Sequence, residues 1–248
     1  MSDRADTKVD DESPPPPRFR DRQDAGRRLA TMLEDYRAES PVILALPRGG
    51  VPVGYEVARH LRATLDVLVV RKVGVPWHPE LGAGAVAEGG YLHISPDVVA
   101  AVGLTEEDLA ATIDEKRKEV EARVRRFRAG RARAELRQRT VILVDDGIAT
   151  GGTVRAALQA IKAASPRKVV LAVPVASPEI LESLSPEVDR IVCPLVPANL
   201  YAIGLWYDDF RQVDDSEVVR LLGDSSKEWA VALPQSVARP RQGGAARR

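Results

Sequence analysis

The chain has 248 residues, which is enough for one α/β domain with a sizeable core and loose ends. Its 36 basic and 36 acidic residues cancel, so the overall charge gives no indication of a nucleic-acid or membrane partner. The single cysteine, Cys193, excludes an intramolecular disulfide and a multi-cysteine metal site. Because the sequence has no long apolar run and no signal-peptide pattern, we expect no membrane association and a cytoplasmic location.

The two ends of the chain differ in composition from its middle. Residues 1–18 are polar and charged and contain a run of prolines, and residues 234–248 combine adjacent glycines with several arginines. Such segments cannot bury enough apolar surface to form a core, so both are predicted to be disordered tails. Residues 19–223 form the predicted domain.

Helix and strand patterns alternate along this domain. Short apolar runs predict strands, and apolar residues at helical spacing predict helices. The predicted strands are residues 42–46, 65–70, 91–94, 140–144, 168–173 and 190–193, and the predicted helices are residues 21–37, 52–61, 106–128, 153–163 and 178–184. This order predicts the α/β class, with a mostly parallel sheet flanked by helices. Because ligands bind beyond the carboxyl ends of such strands, the site should follow Leu46, Val70 and Val144.

Residues 141–153 carry the most informative motif. Asp145 and Asp146 leave the strand as adjacent carboxylates, which suit a pair of sugar hydroxyls or a hydrated Mg²⁺. Glycines then permit close backbone approach, and the next helix turns its free N–H groups toward any anion in the loop. This combination predicts a phosphorylated, hydroxyl-bearing ligand such as ribose 5-phosphate. The ligand-binding residues predicted in this way are Asp145, Asp146, Gly147, Thr150, Gly151, Gly152 and Thr153.

This stretch resembles the loop of type I phosphoribosyltransferases that binds 5-phosphoribosyl 1-pyrophosphate (PRPP). The shared pattern is an apolar run, two acidic residues and Gly-x-x-Thr-Gly-Gly-Thr. The resemblance covers about residues 41–213 and is strongest to a stand-alone bacterial group of predicted phosphoribosyltransferases. It implies the type I phosphoribosyltransferase fold with a small hood, and Mg²⁺ bound with PRPP. It also implies that Asp145 and Asp146 bind the ribose hydroxyls while residues 149–153 bind the 5-phosphate.

Two basic motifs are predicted to bind the rest of PRPP. Arg48, Gly49 and Gly50 follow the first strand, where a guanidinium can bind two pyrophosphate oxygens, and they resemble the family's pyrophosphate loop. Arg71 and Lys72 follow the second strand and resemble the Arg-Lys pair of orotate-type enzymes, in which the lysine contacts PRPP. The alternative for this pair is two solvated charges at a strand end.

Residues 74–90 are rich in glycine and proline, and they lie where these enzymes carry a mobile loop that closes over PRPP. His78 and Glu80 are candidate acid or base groups in this loop, together with Glu88. The alternative is an exposed histidine without a catalytic role. The predicted catalytic residues are Asp145, Asp146, Lys72, His78 and Glu80.

Residues 201–211 are similar to the hood of hypoxanthine-guanine enzymes. By that similarity, Tyr201 or Trp206 stacks on the acceptor ring, and Asp208 or Asp209 binds a second Mg²⁺. The alternative is an apolar segment that only covers the core.

The resemblance implies a pentosyltransferase, a glycosyltransferase of nucleotide salvage. It would transfer the ribose 5-phosphate of PRPP to a nitrogen acceptor, such as a nucleobase, and release pyrophosphate. We expect a homo-oligomer, a dimer. Two alternatives are a PRPP- or nucleotide-sensing regulator that binds RNA or DNA, and a phosphoribosyl hydrolase or salvage enzyme for a non-nucleobase acceptor.

The stretch 116–139 is strongly basic and raises the possibility of nucleic-acid binding. Acidic residues in 97–115 precede it, so the charges follow the helix dipole, and an apolar stripe indicates that one face packs. We therefore do not expect a nucleic-acid partner.

Overall fold

The computed structural model describes residues 18–230, which form eight strands and seven α-helices. The strands are β1 (Val42–Ala45), β2 (Thr64–Val67), β3 (Val70–Val75), β4 (His78–Ala87), β5 (Leu92–Ile94), β6 (Thr140–Val144), β7 (Lys168–Ala172) and β8 (Arg190–Val192). The helices are α1 (Arg22–Thr31), α2 (Gly50–Leu61), α3 (Pro96–Ala101), α4 (Glu106–Arg128), α5 (Gly152–Ala163), α6 (Pro178–Leu184) and α7 (Asp215–Ala230). The tails predicted at residues 1–18 and 234–248 lie outside the described residues, apart from Arg18.

Five parallel strands form the central sheet in the order β2-β1-β6-β7-β8. Alternate residues of its strands face two separate cores. Ile43 and Ile142 pack with α2, α4 and α7, whereas Val42 and Val141 pack with α5 and α6. The order reverses between β1 and β6, so α2 and α5 cover opposite faces and leave a crevice at the carboxyl ends of these two strands. The predicted mostly parallel sheet flanked by helices is confirmed.

The region after β2 differs from its prediction. The strand expected at 65–70 ends at Val67, and Val70 begins a second, antiparallel sheet of β3, β4 and β5. The segment 74–90, expected as a loop, is largely the β3–β4 hairpin. The hairpin packs on both of its faces. Val73 and Ala83 lie in the core that includes α4, whereas Ala85 lies in the core that includes α5. The glycines here therefore belong to a tightly packed hairpin.

The helix expected at 21–37 is also shorter than predicted. It ends at Thr31, and the 3-10 helix Glu34–Glu39 follows it. Leu29 and Leu33 remain buried, so the apolar spacing marked a packed segment rather than one continuous helix. No helix among residues 18–230 is both long enough and apolar enough to cross a membrane.

A small hood joins the first described residues to a distant part of the chain. The Phe19 N–H donates to the Trp206 carbonyl at 2.9 Å, and the Asp208 N–H donates to the Phe19 carbonyl at 2.9 Å. The Phe19 and Tyr207 rings pack with centroids 5.3 Å apart. Their cluster also includes Val175 and Ile203, so the hood lies on the segments that follow β6 and β7.

A buried ion network fixes the end of α4. Arg128 donates to Asp66 at 3.0 Å, to Glu88 at 2.6 and 3.0 Å, and to the Val67 carbonyl at 3.0 Å. All three charged side chains are buried. Both Glu88 oxygens bind Arg128, so Glu88 connects α4 to the end of β4, and the suggestion that it acts as an acid or base stays a prediction.

We predict that Arg128→Ala lowers the free energy of unfolding by about 3–5 kcal/mol, since two buried carboxylates lose their partner. Arg125→Ala, which removes a 72% exposed arginine of the same helix, should change it by less than about 0.5 kcal/mol. Urea unfolding monitored by circular dichroism measures both. Equal stability of the two variants would contradict a structural role for the network.

Candidate active site

Two loops meet at the carboxyl ends of β1 and β6, as their sequences predicted. A Cβ atom on Gly49 would overlap the Asp146 carboxylate, and a Cβ on Gly50 would lie 2.8 Å from the Val144 carbonyl oxygen and 2.9 Å from the Asp145 Cα. Glycine at both positions therefore permits the Pro-Arg-Gly-Gly loop to pack directly on the acidic pair.

The loop between β6 and α5 has open donors. Gly151 precedes α5 in a left-handed conformation, with φ of 78°, and no side chain caps the helix. The first turn of α5 carries no acidic residue, and Ala149, Thr150 and Thr153 are exposed. Uncapped N–H groups, the positive end of the helix dipole and two hydroxyls suit a phosphate group. Gly147 instead packs beneath the hood, where a Cβ atom added to it would lie 2.7 Å from the Ile203 side chain.

The two carboxylates of the acidic pair differ in their surroundings. Asp146 is 9% exposed, and its Oδ2 accepts from the Arg22 Nε at 2.8 Å. The Tyr207 hydroxyl donates to the Asp146 carbonyl at 2.6 Å. Asp145 is half-buried, and its Oδ1 accepts the Asp146 N–H at 2.9 Å. Asp145 is therefore the carboxylate that is more open to a ligand.

Burial raises the pKa of Asp145 well above its usual value, and the charge of Asp146 raises it further. Burial also raises the pKa of Asp146, although the Arg22 guanidinium opposes this shift. The pair therefore resists carrying two negative charges unless an additional cation or donor approaches it.

Arg22 is a site residue that the sequence did not reveal. Its side chain is 11% exposed, lies 3.9 Å from the centroid of the Phe210 ring and donates to the Arg211 carbonyl at 2.7 Å. It thus joins α1, the hood and Asp146. A lone arginine at a helix start carries no motif, so only the folded chain identifies it. Tyr207 was also missed, although its neighbour Trp206 was proposed.

The predicted pyrophosphate-binding cations occupy two elements. Arg48 lies in the β1–α2 loop, where the Pro47–Arg48 peptide is cis, and its guanidinium is 3.6 Å from Asp215. Arg71 is half-buried in β3, and burial lowers its pKa. Lys72 is exposed, and its aliphatic chain lies beside Gly82. Both residues lie within β3, and adjacent strand residues face opposite sides of a sheet. The two cations therefore do not point together from a strand end, as was expected.

The other predicted site residues are more peripheral. His78 is exposed at the start of β4, and the Glu80 side chain lies outside the described part of the structure. Tyr201 is 87% exposed, whereas Trp206 is half-buried in the hood cluster. Their catalytic and acceptor-binding roles remain predictions.

The carboxylates predicted to bind a second metal ion have other surroundings. Asp208 is exposed, and Asp209 accepts from Arg211 at 2.6 Å, which lowers the Asp209 pKa. Among the described side chains of residues 18–227, which leave out 79 and 80, no three His, Cys, Asp or Glu side chains are grouped as metal ligands. Mg²⁺ often uses one or two carboxylates together with substrate phosphates and water, and the Asp145–Asp146 pair fits that chemistry.

A cavity of about 400 Å³ lies next to Arg22, between α1, α2, the hood and α7. Its walls combine apolar and polar groups, including Arg22, Pro52, Asp209, Gln212, Val213 and Glu217. Arg22 lines this cavity and also donates to Asp146, so one side chain connects the cavity with the acidic pair.

Residues 21–195 match the sequence profile of the phosphoribosyl transferase domain. The chain belongs to this family. Proteins from two strains of Mycobacterium tuberculosis, each named "Putative phosphoribosyl transferase", are 45% identical over 214 residues, which cover 86% of this chain and 48% of theirs. The chain thus spans about half the length of these curated relatives. The crystal structure of TT1426 from Thermus thermophilus is 44% identical, with a TM-score of 0.72 over 84% of this chain and 98% of that chain.

We predict that Gly49→Ala destabilises the protein by about 1–3 kcal/mol, because the added methyl group must displace the Asp146 carboxylate. Gly152→Ala is the matched control, since a Cβ there meets no atom within 4 Å. Chemical denaturation compares the two, and equal stability would show that the loops do not pack closely.

We predict that Asp145→Asn is more stable than the wild type at pH 7 without ligand. A carboxyl group whose pKa is raised in the native state makes the protein less stable as pH rises through that pKa. Below the unfolded-state pKa of about 3.9 the group is protonated in both states, so the stability difference between wild type and Asp145→Asn vanishes. Thermal melts at several pH values test this, with about 2–4 °C expected per kcal/mol. Asp209→Asn should not stabilise, because Arg211 lowers the Asp209 pKa. Equal stability of the wild type and Asp145→Asn at pH 7 would contradict the repulsion between Asp145 and Asp146.

Proposed function

We propose that this chain transfers the ribose 5-phosphate of PRPP to a nitrogen acceptor, a nucleobase, and releases pyrophosphate. One observation carries the proposal: the acidic pair packs against the Pro-Arg-Gly-Gly loop and is followed directly by the uncapped start of α5. These groups match the hydroxyls, pyrophosphate and 5-phosphate of PRPP in kind and in charge.

Each part of the loop system has a role in this proposal. The N–H groups and hydroxyls of residues 149–153 bind the 5-phosphate, and Asp145 accepts hydrogen bonds from the ribose hydroxyls. Asp146 assists from a position fixed by Arg22 and Tyr207. Arg48 binds pyrophosphate oxygens, since its loop lies on the acidic pair.

In the reaction, the bond between ribose C1 and the pyrophosphate oxygen breaks, and its electrons leave with pyrophosphate. The acceptor nitrogen donates its lone pair to C1, and its proton passes to a base, for which His78 and Glu80 are candidates. Arg48 stabilises the charge that develops on the leaving group. Fixed positions of both reactants supply a further part of the rate.

Mg²⁺ bound with PRPP would neutralise phosphate charge, with Asp145 and Asp146 as its protein carboxylates. The raised pKa values of this pair favour a cation nearby. Asp208 and Asp209 remain proposed ligands of a second ion.

The cavity beside Arg22 supports binding of a small acceptor. Pro52 and Val213 offer apolar contacts, and Gln212 and Glu217 offer polar ones, as expected for a heterocyclic base. Neither Tyr201 nor Trp206 lines this cavity, so stacking of either ring on the acceptor remains a separate prediction. A homodimer remains a prediction.

A nucleic-acid-binding regulator gains no support from the basic helix α4. Lys116 pairs with Glu119, Arg117 with Asp114, and Arg125 with Glu121. These three cations already have acidic partners on the same helix, so they offer less positive potential to phosphate backbones.

A pyrophosphate-release assay with Mg²⁺ and PRPP, run against nucleobases and small amines, tests the function. We expect release that depends on one nitrogen acceptor and disappears in Asp145→Ala. Release without any acceptor would indicate a hydrolase, and PRPP binding without any release would indicate a sensor.

We predict that PRPP binds at least tenfold more weakly in EDTA than with Mg²⁺, because the acidic pair repels the ligand's negative charges when no cation lies between them. Titration calorimetry with and without the metal measures this difference. Equal affinities would exclude a metal role for Asp145 and Asp146.

A further inference from the structure

The pyrophosphate loop is connected to the basic helix α4 through one carboxylate. Asp215, in the first turn of α7, is 15% exposed, and its Oδ2 lies 2.8 Å from the Arg126 guanidinium. Its Oδ1 lies 3.6 Å from the Arg48 guanidinium. Arg48 and Arg126 are far apart in sequence, but they share this acidic partner.

Two more arginines lie close to this group. Arg71 of β3 has its Nε 3.6 Å from Glu119 of α4. Burial is the largest cause that lowers the pKa of Arg71, and the positive charges of Arg123 and Arg48 lower it further. Arg123 is half-buried and lies four residues after Glu119 and three before Arg126, so these three side chains share one face of α4. Four guanidinium groups are therefore collected around two carboxylates.

Such a collection has an excess of positive charge beside the loop that would bind pyrophosphate. Grouping cations is unfavourable unless an anion offsets their repulsion, and guanidinium groups are well suited to phosphate oxygens. The Arg48–Asp215 separation is too long for a hydrogen bond, so this ion pair can exchange for a ligand. A carboxylate at the positive end of the α7 dipole would explain why Asp215 lies there, but it would not explain why four arginines lie nearby.

We propose that Arg123 and Arg126 of α4 extend the pyrophosphate site beyond Arg48 and the already predicted Arg71, and that Asp215 is the counter-ion which the incoming diphosphate group replaces. The inference rests on the proposed function and deepens it, because it assigns part of the basic stretch of α4 to the substrate. The extended site takes a diphosphate group, either free or as part of PRPP.

Calorimetry with inorganic pyrophosphate, PRPP and ribose 5-phosphate, at one fixed low salt and Mg²⁺ concentration, tests this assignment. In Arg126→Ala and Arg123→Ala, affinity for pyrophosphate and PRPP should fall by about tenfold, while affinity for ribose 5-phosphate stays the same. Arg125→Ala is the matched control, because this neighbouring arginine is 72% exposed and pairs with Glu121.

Asp215→Asn should act in the opposite direction and tighten pyrophosphate binding several-fold, because Arg48 and Arg126 lose their competing carboxylate. A merely structural role for Asp215 would weaken binding or leave it unchanged. The side chain of Arg126 is 66% exposed, so its removal should leave urea unfolding unchanged and the affinities interpretable.

The inference is overturned if Arg126→Ala and Arg125→Ala bind pyrophosphate equally, if ribose 5-phosphate weakens as much as pyrophosphate, or if Asp215→Asn weakens binding. These results can occur in a protein that still binds PRPP and releases pyrophosphate, and the proposed function would then stand. A wild type that binds neither PRPP nor pyrophosphate would remove both proposals.

Discussion

The contact between Gly49 and the Asp146 carboxylate is the constraint on which the site depends. It packs the loop after β1 directly on the acidic pair after β6, so the two loops form adjoining walls of one site. Arg22 and Tyr207 then fix Asp146 from the hood side. The reversal of strand order at β1 and β6 provides the crevice, and the glycines determine how closely its walls approach.

Charge is distributed unevenly along this crevice. The acidic pair lies near its middle, where burial raises both pKa values and the charge of Asp146 raises that of Asp145 further. The α5 end offers neutral donors with a positive dipole, and the Arg48 end offers guanidinium groups. A ligand with hydroxyls between two anionic groups has a preferred orientation here, since the Arg48 side supplies several guanidinium groups for the larger anion.

The sequence predicted those features that are encoded locally. The motif at 141–153 and the apolar strands are contiguous, so the parallel sheet and the position of the loop between β6 and α5 could be predicted directly. The β3–β4 hairpin could not, because its glycines also fit a loop and only packing between α4 and α5 distinguishes the two. Arg22 was missed for a similar reason: its partners Asp146 and Arg211 are distant in sequence, and no pattern near α1 indicates them.

The pairing of the hood has a consequence for the order of folding during synthesis. Arg22 donates to a carbonyl 189 positions later, and Phe19 pairs with residues near 206. Strands β1, β2 and β6 and the acidic pair leave the ribosome well before these partners. A nascent chain can therefore form its central strands while Asp146 still lacks Arg22, and the site is completed only when the hood segment emerges.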